Sequence, residues 1–477
     1  MKHTASLTPM QPPACTATSD QLEDILRSTV SRVEEEQETS LLKRGVGRPC
    51  ELSARCLWAA FLVCLLRGLH SQKAVWRLLS LGPLWSFAHS VLTAQAVYKR
   101  LDQAGTAPLE ELFVQISHRL LAVVSALLEQ GEREGTLKCL APFAADILVL
   151  DETILDQVAR RLPILRGVAR GAAVLIPGKL VSLFSVRTQQ WRRIHFEPDS
   201  LQNEKVSARF MLTGLVRGTL LLFDLGYYCF KWFDDLTALG FWYISRLRNG
   251  SAVQILHRFY EEGDTFDGMV FSGTKKGARP KHAVRLVRFG MHGVLHTYIT
   301  NVLDPHVLSM HDIAQLYARR WHIECAFLLL KKHLGLALFW SAKPQVLLQQ
   351  VWGTLIIAQL LQMLRLQIAV QAKQDPYDVS MELLLEYLPT LSDYYPDGLG
   401  VLLTRGADLG FLRPSSRTRI QTPDLSALLL VPLPADLLLE QVPNYPPDPG
   451  KARKRSPKKR KKQEKKAHKK NASTRSA

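Results

Sequence analysis

The sequence predicts a mixed α/β protein, in which a β-rich insertion interrupts a mixed-sheet core and helical regions lie before and after it. Three observations support this fold class. Between residues 140 and 249, short apolar runs typical of buried strands alternate with helical stretches. Residues 250–300 contain only short strand-like runs separated by turns. Residues 52–103 have the apolar spacing of helices.

Changes in residue pattern divide the chain into segments, as expected for a chain of 477 residues. The predicted segments are a flexible N-terminal arm (1–41), a helical DNA-binding domain (42–135), the first part of a catalytic core (140–249), a β-strand insertion subdomain (250–300), the second part of the core (301–340), a C-terminal helical and Leu/Pro-rich region (341–449) and a disordered basic tail (450–477).

Positive charge is concentrated in the basic tail. The net charge is +18, of which residues 451–477 carry +13 through 14 Lys or Arg and one Glu, which leaves +5 for the rest. A segment with so few apolar residues cannot form a packed core, and its like charges attract polyanions. Nucleic acid is therefore the expected partner, with a purely solubilising tail as the alternative.

The N-terminal helical domain contains two features typical of DNA binding. Arg48 lies in a Gly-Arg-Pro sequence, which has the form of an arm that inserts an arginine into a minor groove. A turn before a helix is the alternative. Thr93 is the predicted cap of a helix that carries Lys99 and Arg100 outward, as a recognition helix would.

Neither the cysteines nor the apolar segments predict an extracellular or membrane protein. The seven cysteines are odd in number and lack the paired spacing of zinc sites, so we expect reduced thiols. The most apolar run, Cys56 to Leu66, is too short to span a bilayer, and the N-terminus lacks the pattern of a signal peptide. A reducing intracellular compartment with no membrane role is expected.

Two aspartates end apolar strand-like runs, Asp151 in ADILVLD and Asp224 in GTLLLFD. Ligand-binding groups of α/β sheets lie at such strand ends, although either residue alone could cap a helix or form a turn. Glu324 adds a third carboxylate from a helix that can pack on the same sheet. Three such carboxylates can hold a pair of divalent cations for phosphodiester chemistry, and magnesium is the hard ion that prefers oxygen ligands.

Glu324 belongs to the sequence YARRWHIECAFLLLKK, which predicts one amphipathic helix over residues 317–332. On a continuous helix, one polar stripe beside an apolar stripe contains Tyr317, Arg320, Glu324 and Lys331. The helix would pack through the apolar stripe and present the charged one. A solvated face with helix-stabilising ion pairs is the alternative interpretation.

This spacing resembles the Y-R-E-K signature of bacterial insertion-sequence transposases, specifically the large insertion-sequence-four family. Two further segments are similar to the family. In LDET, around Asp151, Glu152 replaces the small residue of many members, and DLGYY begins at the second aspartate, Asp224. The resemblance extends over about residues 48–336 and does not include the Leu- and Pro-rich region.

The resemblance implies an RNase H-like catalytic core and a DDE transposase. It implies that two Mg²⁺ ions, with Mn²⁺ as a substitute, bind the three carboxylates Asp151, Asp224 and Glu324. These ions would drive hydrolysis at the element ends and then attack by the freed 3′-hydroxyl on target DNA. Phosphate near the cut would be gripped by Tyr317, Arg320 and Lys331.

The implied partner is double-stranded DNA, at the element ends and at the target, bound by a homodimer in the synaptic complex. The implied location is the bacterial cytoplasm, in association with the nucleoid when DNA is bound. Two alternative functions are a metal-dependent nuclease without strand transfer and a catalytically inactive, transposase-derived DNA-binding protein. The intact carboxylate set and polar stripe argue against the inactive protein.

Three remaining predictions concern individual side chains. Some family members stack a flipped base on an aromatic side chain of the insertion. Tyr298 and Phe289 are the candidates here, with core positions as the alternative for each. Asp234 and Asp235 are expected to be exposed helix residues.

Overall fold

A computed structural model describes most of the chain between residues 52 and 445. The described residues are 23–28, 30, 52–89, 91–135, 137, 140–155, 178–274, 277–291, 293–336, 339–341, 343–394, 398–415, 420–423, 425 and 430–445. The predicted arm of residues 1–41 lies mostly outside this set. Arg48 and the basic tail of residues 450–477 lie entirely outside it.

The elements are numbered here in chain order. The helices are α1 (Ala54–Leu66), α2 (Gln72–Leu81), α3 (Ala94–Gln103), α4 (Ala107–Arg133), α5 (Glu204–Met211), α6 (Phe230–Ala238), α7 (Met310–Arg319), α8 (His322–Leu328), α9 (Pro344–Ala372), α10 (Met381–Tyr394) and α11 (Gly398–Arg405). The strands are β1 (Ile147–Ile154), β2 (Lys179–Ser185), β3 (Trp191–Glu197), β4 (Leu220–Leu222), β5 (Trp242–Arg246), β6 (Val253–Glu262), β7 (Thr265–Ser272), β8 (Val284–Met291) and β9 (Val294–Thr300).

The strands of the described residues form one mixed sheet in the order β3-β2-β1-β4-β5-β9-β8-β7-β6. β1, β4 and β5 are parallel neighbours, whereas β2 and β3 add antiparallel at the β1 side. Both faces of β1 are covered, because Ile147 and Val149 belong to one apolar core while Leu148 and Leu150 belong to another. The predicted mixed α/β class is confirmed, and this topology is consistent with the implied RNase H-like core.

Residues 250–300, the predicted β-strand insertion subdomain, form strands that extend the core sheet. β6 to β9 are antiparallel neighbours, and β9 also pairs with β5, where Ile244 lies opposite Thr300. A buried ion pair links β7 to β8, since Nε and Nη2 of Arg285 lie 2.7 and 2.6 Å from the two carboxylate oxygens of Asp267. The extension therefore continues the hydrogen bonding of the core without a break.

Helix α9 connects the N-terminal helices to the sheet. α1 and α4 pack on α9. Gln359 of α9 accepts a hydrogen bond from the Trp191 backbone N–H on β3 and donates to Ser117 Oγ on α4, both at 2.8 Å. By length and composition α4 and α9 could cross a membrane, but the most apolar stretch of α9 is entirely buried inside the protein. A core helix accounts for the composition of α9.

The predicted cap at Thr93 is confirmed. Its Oγ1 accepts a hydrogen bond from the Ala96 backbone N–H at 3.3 Å, and α3 begins at the next residue. Lys99 is exposed on α3. Arg100 differs from its predicted outward position, because its Nη2 donates to the Leu52 carbonyl at 3.0 Å and so connects α3 to the start of α1.

Asp234 is buried in α6, so the prediction of an exposed position is wrong. Its carboxylate accepts hydrogen bonds from the backbone N–H groups of Lys281 and His282, at 2.6 and 3.0 Å, and from the Tyr445 hydroxyl at 2.7 Å. These donors are distant along the chain, so helical spacing could not reveal them. Asp235 forms a surface ion pair with Lys231 at 2.8 Å.

We expect the substitution Asp234→Asn to lower the free energy of unfolding by about 1–3 kcal/mol, because it leaves a buried donor without its acceptor. The neighbouring substitution Asp235→Asn is the matched control and should change that free energy by less than about 1 kcal/mol. Urea denaturation followed by tryptophan fluorescence measures both values. Equal losses for the two variants would show that Asp234 is not a structural acceptor.

Candidate active site

The parallel register of β1 and β4 brings Asp151 beside Asp224. Val149 pairs with Leu222, and each aspartate lies two residues further along the chain. Side chains two residues apart point to the same face of a sheet, and neighbouring strands are about 4.8 Å apart. The two carboxylates therefore lie side by side where the β1–β4 pairing ends.

Backbone N–H groups hold both aspartate side chains. Asp151 Oδ1 accepts a hydrogen bond from the Glu152 N–H, and Asp224 Oδ1 accepts one from the Gly226 N–H, both at 2.8 Å. The second bond caps the short 3₁₀ turn that follows Asp224. β1 continues to Ile154 because its last residues pair with β2, so Asp151 lies within its strand and not at the strand end, where we predicted it.

The predicted continuous helix over residues 317–332 is interrupted. α7 ends at Arg319 and α8 begins at His322. In the break, the N–H groups of Arg320 and Trp321 donate to carbonyls three residues earlier, and after α8 the backbone becomes π-helical. A uniform step of 100° per residue does not describe such a segment. The prediction that these residues form one polar stripe on a continuous helix is therefore wrong.

Arg320, at the break, links Glu324 to Asp151. Its Nη1 lies 3.6 Å from Asp151 Oδ2, and its Nη2 donates to Glu324 Oε1 at 3.0 Å. Helix α8, which carries Glu324, packs against β1. The side chain of Arg320 is only 12% exposed, so this guanidinium forms a partly buried bridge between two carboxylates.

The other two residues of the predicted stripe differ in position. Tyr317 is directed into the core, because its hydroxyl donates to the Phe223 carbonyl at 3.4 Å and its ring lies 4.8 Å from that of Tyr298. Lys331 borders the candidate site, because its Nζ donates to Thr153 Oγ1 on β1. Lys331 can therefore reach a strand bound near Asp151 more directly than Tyr317.

The two aromatic candidates for base stacking are both core residues. Phe289 is fully buried and Tyr298 is 6% exposed. Their rings lie 5.9 Å apart, on adjacent strands β8 and β9. This burial favours the core interpretation of both side chains over base stacking.

The carboxylates of this site are electrostatically unfavourable for one another. Burial, assisted by the charges of Asp224 and Glu324, raises the pKa of Asp151 to about 7. The Glu152 N–H and the Arg320 charge oppose this rise in pKa but do not cancel it. A cation bound among these groups would favour the ionised carboxylates and offset their repulsion.

A cleft of about 220 Å³ opens at the two aspartates. It is lined by Asp151, Glu152, Thr153, Ile154, Glu204, Asp224 and Tyr227. Sequence reasoning missed Glu204 and Tyr227. Glu204 is the first residue of α5. Acidic residues are common at this position because a negative charge interacts favourably with the positive end of the helix dipole, so no sequence signal distinguishes Glu204. Tyr227 is the first tyrosine of DLGYY, the segment that begins at Asp224.

A larger cleft, of about 640 Å³, lies beside Asp267 and Arg285. It is a weaker candidate, because both oxygens of Asp267 are already engaged by Arg285. The smaller cleft combines several carboxylates with two strand ends and a helix, which is the arrangement expected of an active site. The smaller cleft is therefore the better candidate active site, because of its carboxylates and despite its smaller volume.

The donor set of the smaller cleft fits a hard divalent cation. Among the residues that the structure describes, no three His, Cys, Asp or Glu side chains are arranged to hold a metal ion as they stand. However, the available ligands are carboxylate oxygens, which Mg²⁺ and Mn²⁺ prefer. A cation between Asp151 and Glu324 would compete with the Arg320 guanidinium, which lies close to both.

The remaining predicted DNA contacts belong to another part of the protein. Lys99 and Arg100 lie on α3, which packs against α2 and α9. Arg48 lies outside the described residues. The structure therefore groups Arg320 and Lys331 with the carboxylates and leaves Lys99 and Arg100 in the helical domain.

One family model matches part of the chain. Residues 175–360 match the family model of the transposase DDE domain, a range that includes Asp224, Arg320, Glu324 and Lys331 and begins after Asp151. No curated protein matches the chain. A domain of this kind implies a DNA-binding nucleotidyl-transferase that uses divalent metal ions. The match supports a DDE transposase.

Proposed function

We propose that the protein is a cut-and-paste DNA transposase of the insertion-sequence-four family, with Arg320, Glu324 and Lys331 of the Y-R-E-K signature at its active site and Tyr317 packed in the core behind it. It cleaves the ends of its element and joins the freed 3′-hydroxyl to target DNA. The observation that carries the proposal is the parallel register that sets Asp151 beside Asp224, with Glu324 linked to Asp151 through Arg320. The match to the transposase DDE domain supports the same reaction class.

Asp151, Asp224 and Glu324 are the residues that would hold two divalent cations, Mg²⁺ or Mn²⁺. Such ions supply activation of the attacking oxygen and stabilisation of the leaving oxygen. The protein contributes the carboxylates and fixes two of them through backbone N–H groups of the chain that follows each one. Fixing their positions before DNA binds reduces the reorganisation needed during the reaction.

Arg320 and Lys331 are the residues that would contact the phosphate at the cut. Arg320 offers a forked pair of N–H groups, and its present partners are Asp151 and Glu324. With cations held by these carboxylates, the guanidinium would be available to bind a phosphate oxygen. Lys331 reaches the edge of the cleft at Thr153, where a compact charge suits a phosphate.

Double-stranded DNA, at the element ends and at the target, is the proposed partner. Synapsis of two ends calls for a homodimer, in which each copy acts on one end. Lys99, which is exposed on α3, and the cationic sequence of the basic tail are the proposed contacts away from the cut, because cations attract the phosphate backbone without regard to base sequence. The proposed location is the bacterial cytoplasm, at the nucleoid when DNA is bound.

A strand-transfer assay tests the proposed function. The substrate is a duplex that carries the DNA sequence flanking the coding region, incubated with full-length protein, Mg²⁺ and a supercoiled target. We expect both end cleavage and joined products. Cleavage without joining would indicate a nuclease, and end binding without cleavage would indicate a DNA-binding protein; either result would overturn the proposal.

The substitutions Asp151→Asn, Asp224→Asn and Glu324→Gln should each reduce the cleavage rate by about 1,000-fold or more, because metal ions supply several kcal/mol of transition-state stabilisation. End binding, measured by gel shift, should remain. Asp235→Asn, a surface carboxylate of α6, is the control and should cleave at the unsubstituted rate. Unchanged cutting by any of the three variants would remove that residue from the mechanism.

The neighbouring lysines Lys331 and Lys332 allow a matched test of phosphate contact. Lys331 points to Thr153 at the cleft, whereas Lys332 forms an exposed ion pair with Glu382. Lys331→Gln should reduce the slope of log affinity against log salt by about one, because one phosphate contact is lost. Lys332→Gln should leave the slope unchanged. Fluorescence anisotropy with end DNA at several salt concentrations measures both, and identical slopes would contradict the proposed contact.

A further inference from the structure

Glu204 lines the acidic cleft together with Asp151 and Asp224. It is the first residue of α5, a helix that Asn203 caps by accepting a hydrogen bond from the Lys205 N–H at 3.0 Å. α5 packs against the 3₁₀ turn that follows Asp224, as well as against β2 and β3. The carboxylate of Glu204 is therefore brought to the cleft by the fold, and not by closeness in the sequence.

Gly226 shows how closely Glu204 and Asp224 converge. A Cβ atom at this position would lie 2.3 Å from Glu204 Oε2 and 3.0 Å from Asp224 Oδ1. Both carboxylate oxygens therefore border the space over the Gly226 α-carbon. A side chain at residue 226 would displace Glu204, so glycine is the residue that permits the two carboxylates to face the same space.

The Tyr227 hydroxyl is an independent sign of a ligand at this place. Tyr227 lines the same cleft and is 1% exposed. Its hydroxyl has no hydrogen-bond partner among the described residues. Buried hydroxyl groups usually have a partner, and a species bound beside these carboxylates would supply the hydrogen bond that this one lacks.

The charge of the cleft determines which species this is. Four of its lining residues are carboxylic acids: Asp151, Glu152, Glu204 and Asp224. Lys179 pairs with Glu152 at 2.6 Å, and the Asp224 side of the cleft is lined by the carboxylates of Asp224 and Glu204. A bare phosphate anion is repelled there, whereas a divalent cation is attracted. Mg²⁺ usually keeps several of its waters when it binds to protein carboxylates, and those waters can donate to a phenol oxygen.

We propose that Glu204 is a fourth cation-binding carboxylate, which with Asp224 takes a hydrated divalent cation whose water hydrogen-bonds to the Tyr227 hydroxyl. This inference rests on the proposed function for the assignment of Asp224 to the cation site, and it adds two residues to that site. Glu204 and Tyr227 position the cation on the Asp224 side of the cleft.

Mn²⁺ binding to the full chain without DNA tests the inference. Titration calorimetry, together with the electron paramagnetic resonance signal of free Mn²⁺, gives the dissociation constant. Glu204→Gln should weaken Mn²⁺ binding by about tenfold or more, as is typical of groups that support a metal site. Glu110→Gln is the matched control, because it removes a first-turn acid from α4 instead, and should bind Mn²⁺ as the unsubstituted protein does.

Tyr227→Phe separates a role toward the cation from a structural one. The unpaired hydroxyl contributes no hydrogen bond in the cation-free protein, so the metal-free melting temperature should be unchanged or higher. Mn²⁺ affinity should fall by about tenfold, and the rise in melting temperature on adding Mn²⁺ should shrink accordingly. A lower metal-free melting temperature with unchanged Mn²⁺ affinity would assign the hydroxyl to folding and overturn its role here.

Asp224→Asn distinguishes failure of this inference from failure of the proposed function. If Asp224→Asn loses Mn²⁺ binding but Glu204→Gln does not, the cation site stands and the role of Glu204 is wrong. If Asp224→Asn also binds Mn²⁺ normally, the cation site of the proposed function is itself wrong. Weakened binding in both variants, with Glu110→Gln unchanged, supports the inference.

Discussion

Repulsion between carboxylates in a partly buried cleft is the constraint on which this site depends. Asp151 and Asp224 are adjacent because the parallel pairing of β1 with β4 is set by buried apolar residues, which leaves the aspartates no freedom to separate. Burial first, and then the nearby charges of Asp224 and Glu324, raise the pKa of Asp151, so the ionised carboxylate is disfavoured in the cation-free cleft. Arg320 relieves part of this repulsion from the helical break, and a bound cation would relieve the rest.

The fold class was predictable because apolar spacing is a local property of the sequence. The strands around Asp151 and Asp224 are short apolar runs, and they form the parallel centre of the sheet. The role of residues 250–300 was not predictable, because the pairing of β9 with β5 joins segments through backbone hydrogen bonds that carry no sequence signature. The prediction that Asp234 is exposed was wrong for a related reason, because its hydrogen-bond donors come from residues 281, 282 and 445, which are distant along the chain.

The sequence could identify candidate site residues only where they have a characteristic spacing along the chain. The spacing of Arg320, Glu324 and Lys331 predicted one continuous stripe, whereas the helix is broken and the break brings Arg320 between Asp151 and Glu324. Helical periodicity assumes a regular backbone, so it cannot anticipate a break. Glu204 approaches the cleft from another helix, and only packing reveals it.

Glu152 stands where many insertion-sequence-four transposases have a small residue. Its carboxylate forms an ion pair with Lys179. Lys179 is completely buried, and a buried ammonium requires an anionic partner, which Glu152 supplies at 2.6 Å. In the β1–β2 register Lys179 lies opposite Ile154, so the pair is diagonal on one face of the sheet. Lys179 Nζ also donates to the Gln202 carbonyl at 2.8 Å, immediately before α5. Through Lys179, Glu152 therefore helps to fix the chain just before α5, the helix that brings Glu204 to the cleft.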